Sequence, residues 1–298
     1  MRDPHGKAVL LREYYFPPPP EVDLSNIEGY EYPTPVILSA RLTQEEVIRV
    51  ITKSKKDNAP GPDGIPNRIL HLIARETPAI LVRLLQACLD LGVHPRAFKR
   101  STTVILKKPR KEDYTSPTAY RPIALLNTIG KALEAVVAER IRFAAEKHSL
   151  LPETQMGARR MRSIETALQL ITEKVHTIWG AKRHRVATLL SLDVSGAFDR
   201  VSHTRLIHNL RKRRIPEWVA IWVADFLSDR ETEIRLGDYT LESSRVFVGI
   251  PQGSRISPIL YLFYNADLLD VCENAALRTS VTGFVDDINI LTHGISTE

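Results

Sequence analysis

Asp286 and Asp287 stand side by side in Gly283-Phe284-Val285-Asp286-Asp287-Ile288-Asn289-Ile290, and adjacent carboxylates have a chemistry that single ones lack. Left unscreened they repel, and the repulsion raises a pKa unless a cation settles between them. Mg²⁺, hard and oxygen-seeking, suits such a pair, and Mn²⁺ can substitute for it. Alone the pair proves little, because Asp-Asp also occurs in solvated turns. A third carboxylate is needed, and Asp193 offers one at the end of the apolar run 186–192. If that run lies beside the turn carrying Asp286 and Asp287, the three acids form a site for two Mg²⁺ ions. Two such ions about 4 Å apart would clamp an in-line phosphoryl transfer, one activating a primer 3′-hydroxyl and the other holding a triphosphate.

A triphosphate needs cations, and its sugar needs a floor. Lys107, Lys108, Arg110, Lys111 and Arg121 can supply the cations, Arg as a bidentate fork and Lys as a point charge. A solvated basic loop has the same composition. Phe198, five residues past Asp193, could exclude a 2′-hydroxyl by bulk, or sit in the core. Gln252-Gly253 joins an amide able to bond a sugar or base to a glycine that lets backbones approach; by itself it is a turn entering a helix. Arg159, Arg160 and Arg162 could follow template phosphates. For Arg211-Lys212-Arg213-Arg214, a helix dipole or a nuclear-import patch serves as well as nucleic acid. Asp199 reads as a cap for the helix after it before it reads as a metal ligand.

These residues must be held by regular elements. The β-branched run around Asp286 and Asp287 predicts strand, tight turn, strand. The run 186–193 predicts a strand buried on both faces, since its apolar residues do not alternate. Strands are also expected at 101–106 and, as a hairpin turning at Gly237-Asp238, at 231–236 and 239–248. Helices are expected from Thr43, which can cap towards Glu46, and over 66–75, 78–91 with Thr77 as cap, 128–147, 163–178, 202–212, 216–228 and 257–273. Residues 1–40, with Pro17 to Pro20 consecutive, predict an extended arm, because neither helix nor sheet tolerates that proline density.

The 298 residues are 43% hydrophobic and 26% charged, enough for a substantial core in one large domain or two subdomains. A formal charge of +6 favours a polyanionic partner. Cys88 and Cys272, far apart in apolar helical patterns, read as buried small hydrophobes in a reducing compartment, not a disulfide or zinc site. No run reaches the eighteen or so apolar residues of a membrane span, and no secretory leader is visible, so an intracellular protein with no membrane partner is expected.

Six blocks in order carry a resemblance. They are Ala59-Pro60-Gly61-Pro62-Asp63-Gly64-Ile65, Tyr120-Arg121-Pro122-Ile123-Ala124-Leu125-Leu126, Gln155-Met156-Gly157, Leu192 to Asp199, Gly249-Ile250-Pro251-Gln252-Gly253-Ser254 and Phe284-Val285-Asp286-Asp287. Over about residues 41–292 the chain resembles the reverse transcriptase domain of non-LTR (LINE-type) retrotransposons.

The resemblance implies an α+β right-hand polymerase whose palm is an antiparallel sheet backed by helices, with fingers at 41–180 and palm at 181–298. It implies Asp193, Asp286, Asp287 and the carbonyl of Val194 as ligands of two Mg²⁺ ions. Phe198 matches the sugar gate, Gln252 a nucleotide contact, Lys108 and Arg121 the triphosphate grip, and Pro251 and Gly253 the shape of that pocket. The implied partners are an RNA template, a DNA primer or nicked target DNA, and dNTPs, in a ribonucleoprotein of nucleus or cytoplasm.

Where the family usually has Tyr-Ala-Asp-Asp, Phe284 removes a hydroxyl worth about 1 kcal/mol of hydrogen bond. Val285 adds bulk beside the acids, tolerable if its side chain faces the core. Because the chain stops at Glu298, the expectation is a piece of a polyprotein that is C-terminally incomplete, without thumb or endonuclease. The competing expectations are an inactive remnant that at most binds nucleic acid, and an RNA-dependent RNA polymerase. The Pro-Gln-Gly block, Phe198 and the lack of Gly before Asp286 weigh against the RNA polymerase.

Overall fold

The computed structural model describes residues 3–19, 21–181, 185–273, 276 and 278–295. Two compact units are discontinuous in sequence: the first comprises the chain to Ile141 with Phe198–Ser257, the second Arg142–Ala197 with Pro258 onward. The expected sequential boundary at 180 falls inside the second unit.

The first unit holds α1 (Pro4–Tyr15), α2 (Gln44–Thr52), α3 (Asn67–Glu76), α4 (Pro78–Asp90), α5 (Arg96–Lys99), β1 (Arg100–Lys107), β2 (Tyr120–Leu126) and most of α6 (Thr128–Lys147). After the second unit's first segment come α8 (His203–Lys212), α9 (Glu217–Leu227), β4 (Arg230–Leu236) and β5 (Tyr239–Val246). Its sheet runs β2-β1-β4-β5, with β1 antiparallel to β2 and parallel to β4. Local chemistry explains the helix starts. Thr43 Oγ1 accepts from the Glu46 amide at 3.2 Å, and Glu45 and Glu46 meet the positive end of α2. Thr77 precedes α4 but makes no side-chain cap bond; Pro78 at the first turn starts that helix instead.

Two further departures from the sequence reading each have a visible reason. The segment 1–40 is not simply an extended arm. Asp3 accepts from the amides of His5 and Gly6 at 3.1 and 2.8 Å, Pro4 opens the first turn, and α1 runs until the prolines after Tyr15. Pro20 lies outside the described residues. The remainder of the arm is irregular but tied down. The Val36 amide donates to the Arg214 carbonyl at 2.9 Å, Trp218 Nε1 donates to the Leu38 carbonyl at 3.0 Å, and Tyr30 and Tyr32 pack edge-on against His208.

β2 was hidden by Pro122. Proline is tolerated there because β2 is an edge strand, with Pro122 opposite Ile105.

The second unit holds the end of α6, α7 (Ile164–Trp179), β3 (Val186–Asp193), nearly all of α10 (Ser257–Cys272), β6 (Thr279–Phe284) and β7 (Asp287–Gly294). Its sheet is antiparallel in the order β3-β7-β6, packed by α7 on β3 and β6. Leu269 of α10 joins Val281 and Ile288 in a small core against which Val194 and Cys272 pack. Cys88 is buried; Cys272 is half-buried.

The two-sided burial expected of β3 is overturned. It is an edge strand paired with β7 alone, and Leu189, Leu190 and Leu192 keep 49%, 52% and 38% of their surface. Lack of alternation therefore marked an apolar strand and not a covered one. Among the described residues no helix is long and apolar enough to cross a membrane.

Candidate active site

In the second unit the strand register brings the acids together. Asp193 ends β3 directly opposite Asp287, the first residue of β7, and Asp287 also pairs with Phe284 across the hairpin. Directly opposed residues hold their Cβ atoms about 5 Å apart, and like charges so placed destabilise the pair. Asp286 sits in the two-residue turn between β6 and β7. Burial first, and then the charges of Asp287 and Asp193, push its carboxyl above the usual carboxylate range, with a backbone hydrogen bond opposing. Tyr261 of α10, 2% exposed, senses the same acids: burial and the charges of Asp286 and Asp193 drive its hydroxyl well above the ordinary tyrosine value.

Val285 opens that turn at φ 60, while Asp286 has no positive φ. That is the pattern of a type II′ hairpin, whose first central position favours glycine, so a β-branched residue there is strained. The Val285 side chain is half-buried and lies over Gly157, where a Cβ would meet Val285 N and Cγ2 at 2.5 Å. The segment before Gly157 completes the free edge of β6. The Gly283 amide donates to the Thr154 carbonyl at 3.0 Å, and the Met156 amide to the Gly283 carbonyl at 2.7 Å. A Cβ at 283 would overlap the Gln155 amide oxygen, so a larger residue there would require that side chain to move.

Among the described residues no three His, Cys, Asp or Glu side chains come close enough together to hold a metal ion. The donor set nevertheless fits a hard cation. All three groups are carboxylates, two are opposed in register, and the third is raised partly by the charge of the other two.

The basic residues expected along a template divide. Arg159 is buried: Nε and Nη2 grip Glu146 at 2.7 Å each, and Nη1 donates to the carbonyls of Pro152 and Gln155. Every guanidinium nitrogen is committed inside the protein, so its role is structural. Arg162, half-buried, donates to the carbonyls of Glu153 and Gln155, whereas Arg160 is exposed.

The first unit gathers the nucleotide candidates. The Ile250 amide donates to the Phe198 carbonyl at 2.8 Å and the Gly249 amide to the Val201 carbonyl at 2.9 Å, so the loop of Phe198 and Asp199 is laced to the Pro-Gln-Gly turn. Gly249, at φ 86, permits this, since a Cβ would lie 2.7 Å from the Asp199 carbonyl oxygen. The turn then lies along the outer edge of β2: the Ala124 amide donates to the Gln252 carbonyl at 2.7 Å. At Gly253 a Cβ would lie 2.6 Å from the Ala124 carbonyl oxygen.

Lys108 follows β1, and Arg121, exposed, faces Leu106 across the β1–β2 pair. Lys108 is near enough to Asp199 to pull its pKa down, yet burial dominates and the carboxyl rises to about 6. Asp199 is not the expected helix cap. Ser202 caps α8 through the Arg205 amide, and Asp199 instead accepts from Gln252 Nε2 at 2.8 Å.

Glu134 escaped the sequence reading because it looks like any polar position on an amphipathic helix. It is fully buried on α6 and accepts from Ser254 Oγ at 2.5 Å and the Arg255 amide at 3.0 Å, anchoring the far side of the turn. Burial lifts its carboxyl above the ordinary range. Arg230, buried in turn, is lowered to about 10, with Glu134 opposing that fall.

Comparison with known proteins gives a consistent result. Residues 105–297 match the family described as Reverse transcriptase (RNA-dependent DNA polymerase). The chain is 28% identical over 254 residues to the RNA-directed DNA polymerase from mobile element jockey of Drosophila melanogaster, covering 84% of this chain and 27% of that protein. To the probable RNA-directed DNA polymerase from transposon X-element of the same fly it is 29% identical over 243 residues, covering 82% and 26%. A putative 115 kDa protein in the type-1 retrotransposable element R1DM is 30% identical over 292 residues, covering 97% and 26%. The chain thus spans about a quarter of the length of the relatives it matches.

Proposed function

This chain belongs to the reverse transcriptase family, of the kind carried by non-LTR retrotransposons, and from that premise we propose that it extends a DNA primer on an RNA template with dNTPs. The observation that carries the proposal is the pairing of Asp193 with Asp287 beside the Asp286 turn. Asp193, Asp286, Asp287 and the Val194 carbonyl would hold two Mg²⁺ ions, with Mn²⁺ as substitute. Such ions would supply acidity to the primer hydroxyl and positive charge for the departing pyrophosphate.

The chain's own residues do the rest. Lys108 and Arg121 hold the triphosphate oxygens, Arg121 as a fork and Lys108 as a point charge. Phe198 closes the space of a 2′-hydroxyl, and Gln252 meets the nucleotide from a turn that Gly249, Gly253 and Glu134 hold rigid. Arg160, with Arg162, offers charge to the template backbone, while Arg159 supports the loop that carries them. In the right-hand description the antiparallel β3-β7-β6 sheet is the palm and the β1–β2 pair belongs to the fingers. A ribonucleoprotein acting in nucleus or cytoplasm is the setting this reading implies.

A second reading, an inactive remnant that only binds nucleic acid, draws on the open spacing of the acids. Primer extension on poly(rA)/oligo(dT) separates the two, with Asp286→Ala as the blank. Extension above the blank supports the polymerase; a signal equal to it leaves the remnant.

A further inference from the structure

Gln252 is useful to a nucleotide only if its amide presents one end consistently, and a free side chain on a turn flips. Resting on the polymerase reading, we propose that Asp199 is a positioning residue that locks the Gln252 amide with its oxygen left as the acceptor for the incoming nucleotide. The bond is direct, Asp199 Oδ1 to Gln252 Nε2 at 2.8 Å. An ionised carboxylate can only accept, so the amide must offer it the nitrogen and keep the oxygen for a hydroxyl or amino donor on the ligand.

The surroundings leave the pair little freedom. The backbones of the two loops are joined by the bonds at Phe198 and Val201. Asp199 and Gln252 line one cavity, which Tyr15 and Phe16 at the end of α1 also line. Tyr15 is itself fixed, its hydroxyl within hydrogen-bond distance of both the Tyr120 and the Pro117 carbonyls, at 2.6 and 2.7 Å, one of which accepts its single hydrogen. The charged and titratable groups that act on or line this place are Lys108, Arg121, Arg200, Arg230, Tyr14 and Tyr15. Asp199 neither caps a helix nor takes part in the strand register of the Asp193 set.

Steady-state primer extension with the full chain tests the role. Asp199→Ala is expected to raise the dNTP KM about tenfold, the loss of one oriented hydrogen bond, with kcat held within about threefold. Asp199→Asn keeps an acceptor for Nε2 and should restore KM. Asp193→Asn, in contrast, should lose kcat.

A second readout needs no catalysis. In ¹⁵N-glutamine-labelled chain, the Gln252 side-chain amide, assigned by its loss in Gln252→Met, should shift with pH as Asp199 titrates and stop shifting in Asp199→Asn. Wild-type chain that fails to extend primer defeats the polymerase reading while the amide titration still decides the bond. Active wild type with unchanged KM in Asp199→Ala, loss of kcat in Asp199→Asn, or an amide that does not titrate overturns the positioning role.

Discussion

The two units organise their polar residues in opposite ways. In the first, the Pro-Gln-Gly turn is gripped from both sides, by Glu134 through Ser254 and Arg255 and by Asp199 through Gln252, and glycines let its backbone press against neighbouring chain. In the second, Asp193 on the edge strand β3 faces Asp287 on β7, and the turn that carries Asp286 is strained at Val285. The first arrangement is satisfied by the protein itself. In the second, the carboxyl of Asp286 is raised by burial and by its acidic neighbours, so added positive charge would favour that arrangement, as the proposed cation site requires. The contrast teaches where to expect rigidity and where to expect dependence on a ligand.

The largest break in this contrast should come from Asp287→Asn. Primer extension is expected to fall to the level of the blank while the unfolding temperature without Mg²⁺ is unchanged or slightly higher, because a repulsion has been removed. A clear drop in stability would mean that the acids are structural.

Glu134→Ala should do the reverse. Calorimetric or denaturant unfolding should lose about 3 kcal/mol, since a buried hydroxyl and amide lose their acceptor and Arg230 its counter-charge. Glu134→Gln, which keeps one acceptor oxygen, should lose much less. Equal losses would show that volume, not hydrogen bonding, matters at this position.

A smaller effect follows from pH. Asp199 and Asp286 both have folded pKa values raised above the ordinary carboxylate, Asp199 to about 6. The folded chain therefore holds more protons than the unfolded one in the window between about 4 and 6, and stability contributed by these groups falls as pH rises through it. Mg²⁺ should offset the share due to Asp286 and leave that of Asp199, which Asp199→Asn removes. Unfolding midpoints measured across that window with and without Mg²⁺ check both; a slope of opposite sign would contradict the burial of these acids.

The smallest effect is expected from Val285→Gly. A glycine accepts φ 60 without strain, so stability should rise by about 1 kcal/mol in chemical denaturation. A fall of that size would show that packing over Gly157 outweighs the strained backbone.

Much of this was legible in the sequence where chemistry and periodicity coincide. The strand ending at Asp193, the hairpin around Asp286 and Asp287, and the helices from Thr43, Thr128 and Ser257 all follow from residue pattern and turn chemistry. What escaped depended on tertiary neighbours. Nothing in 186–193 distinguishes an apolar edge strand from a buried one, and Pro122 hides a strand whose edge position tolerates it. Asp3, a short N-cap ahead of a proline-rich run, was outweighed by the prolines. Arg159 looked like a template contact because its partner Glu146 lies on a different element, and Glu134 and Asp199 acquired meaning only once a distant turn was seen against them.

The central claim is the proposal that the opposed acids of the second unit bind a divalent cation. Mn²⁺ titration followed by electron paramagnetic resonance, on wild type and Asp193→Asn, tests it without any need for turnover. Saturable binding to the wild-type chain that is largely lost in the variant is the predicted result. Identical titrations of the two proteins would contradict the account.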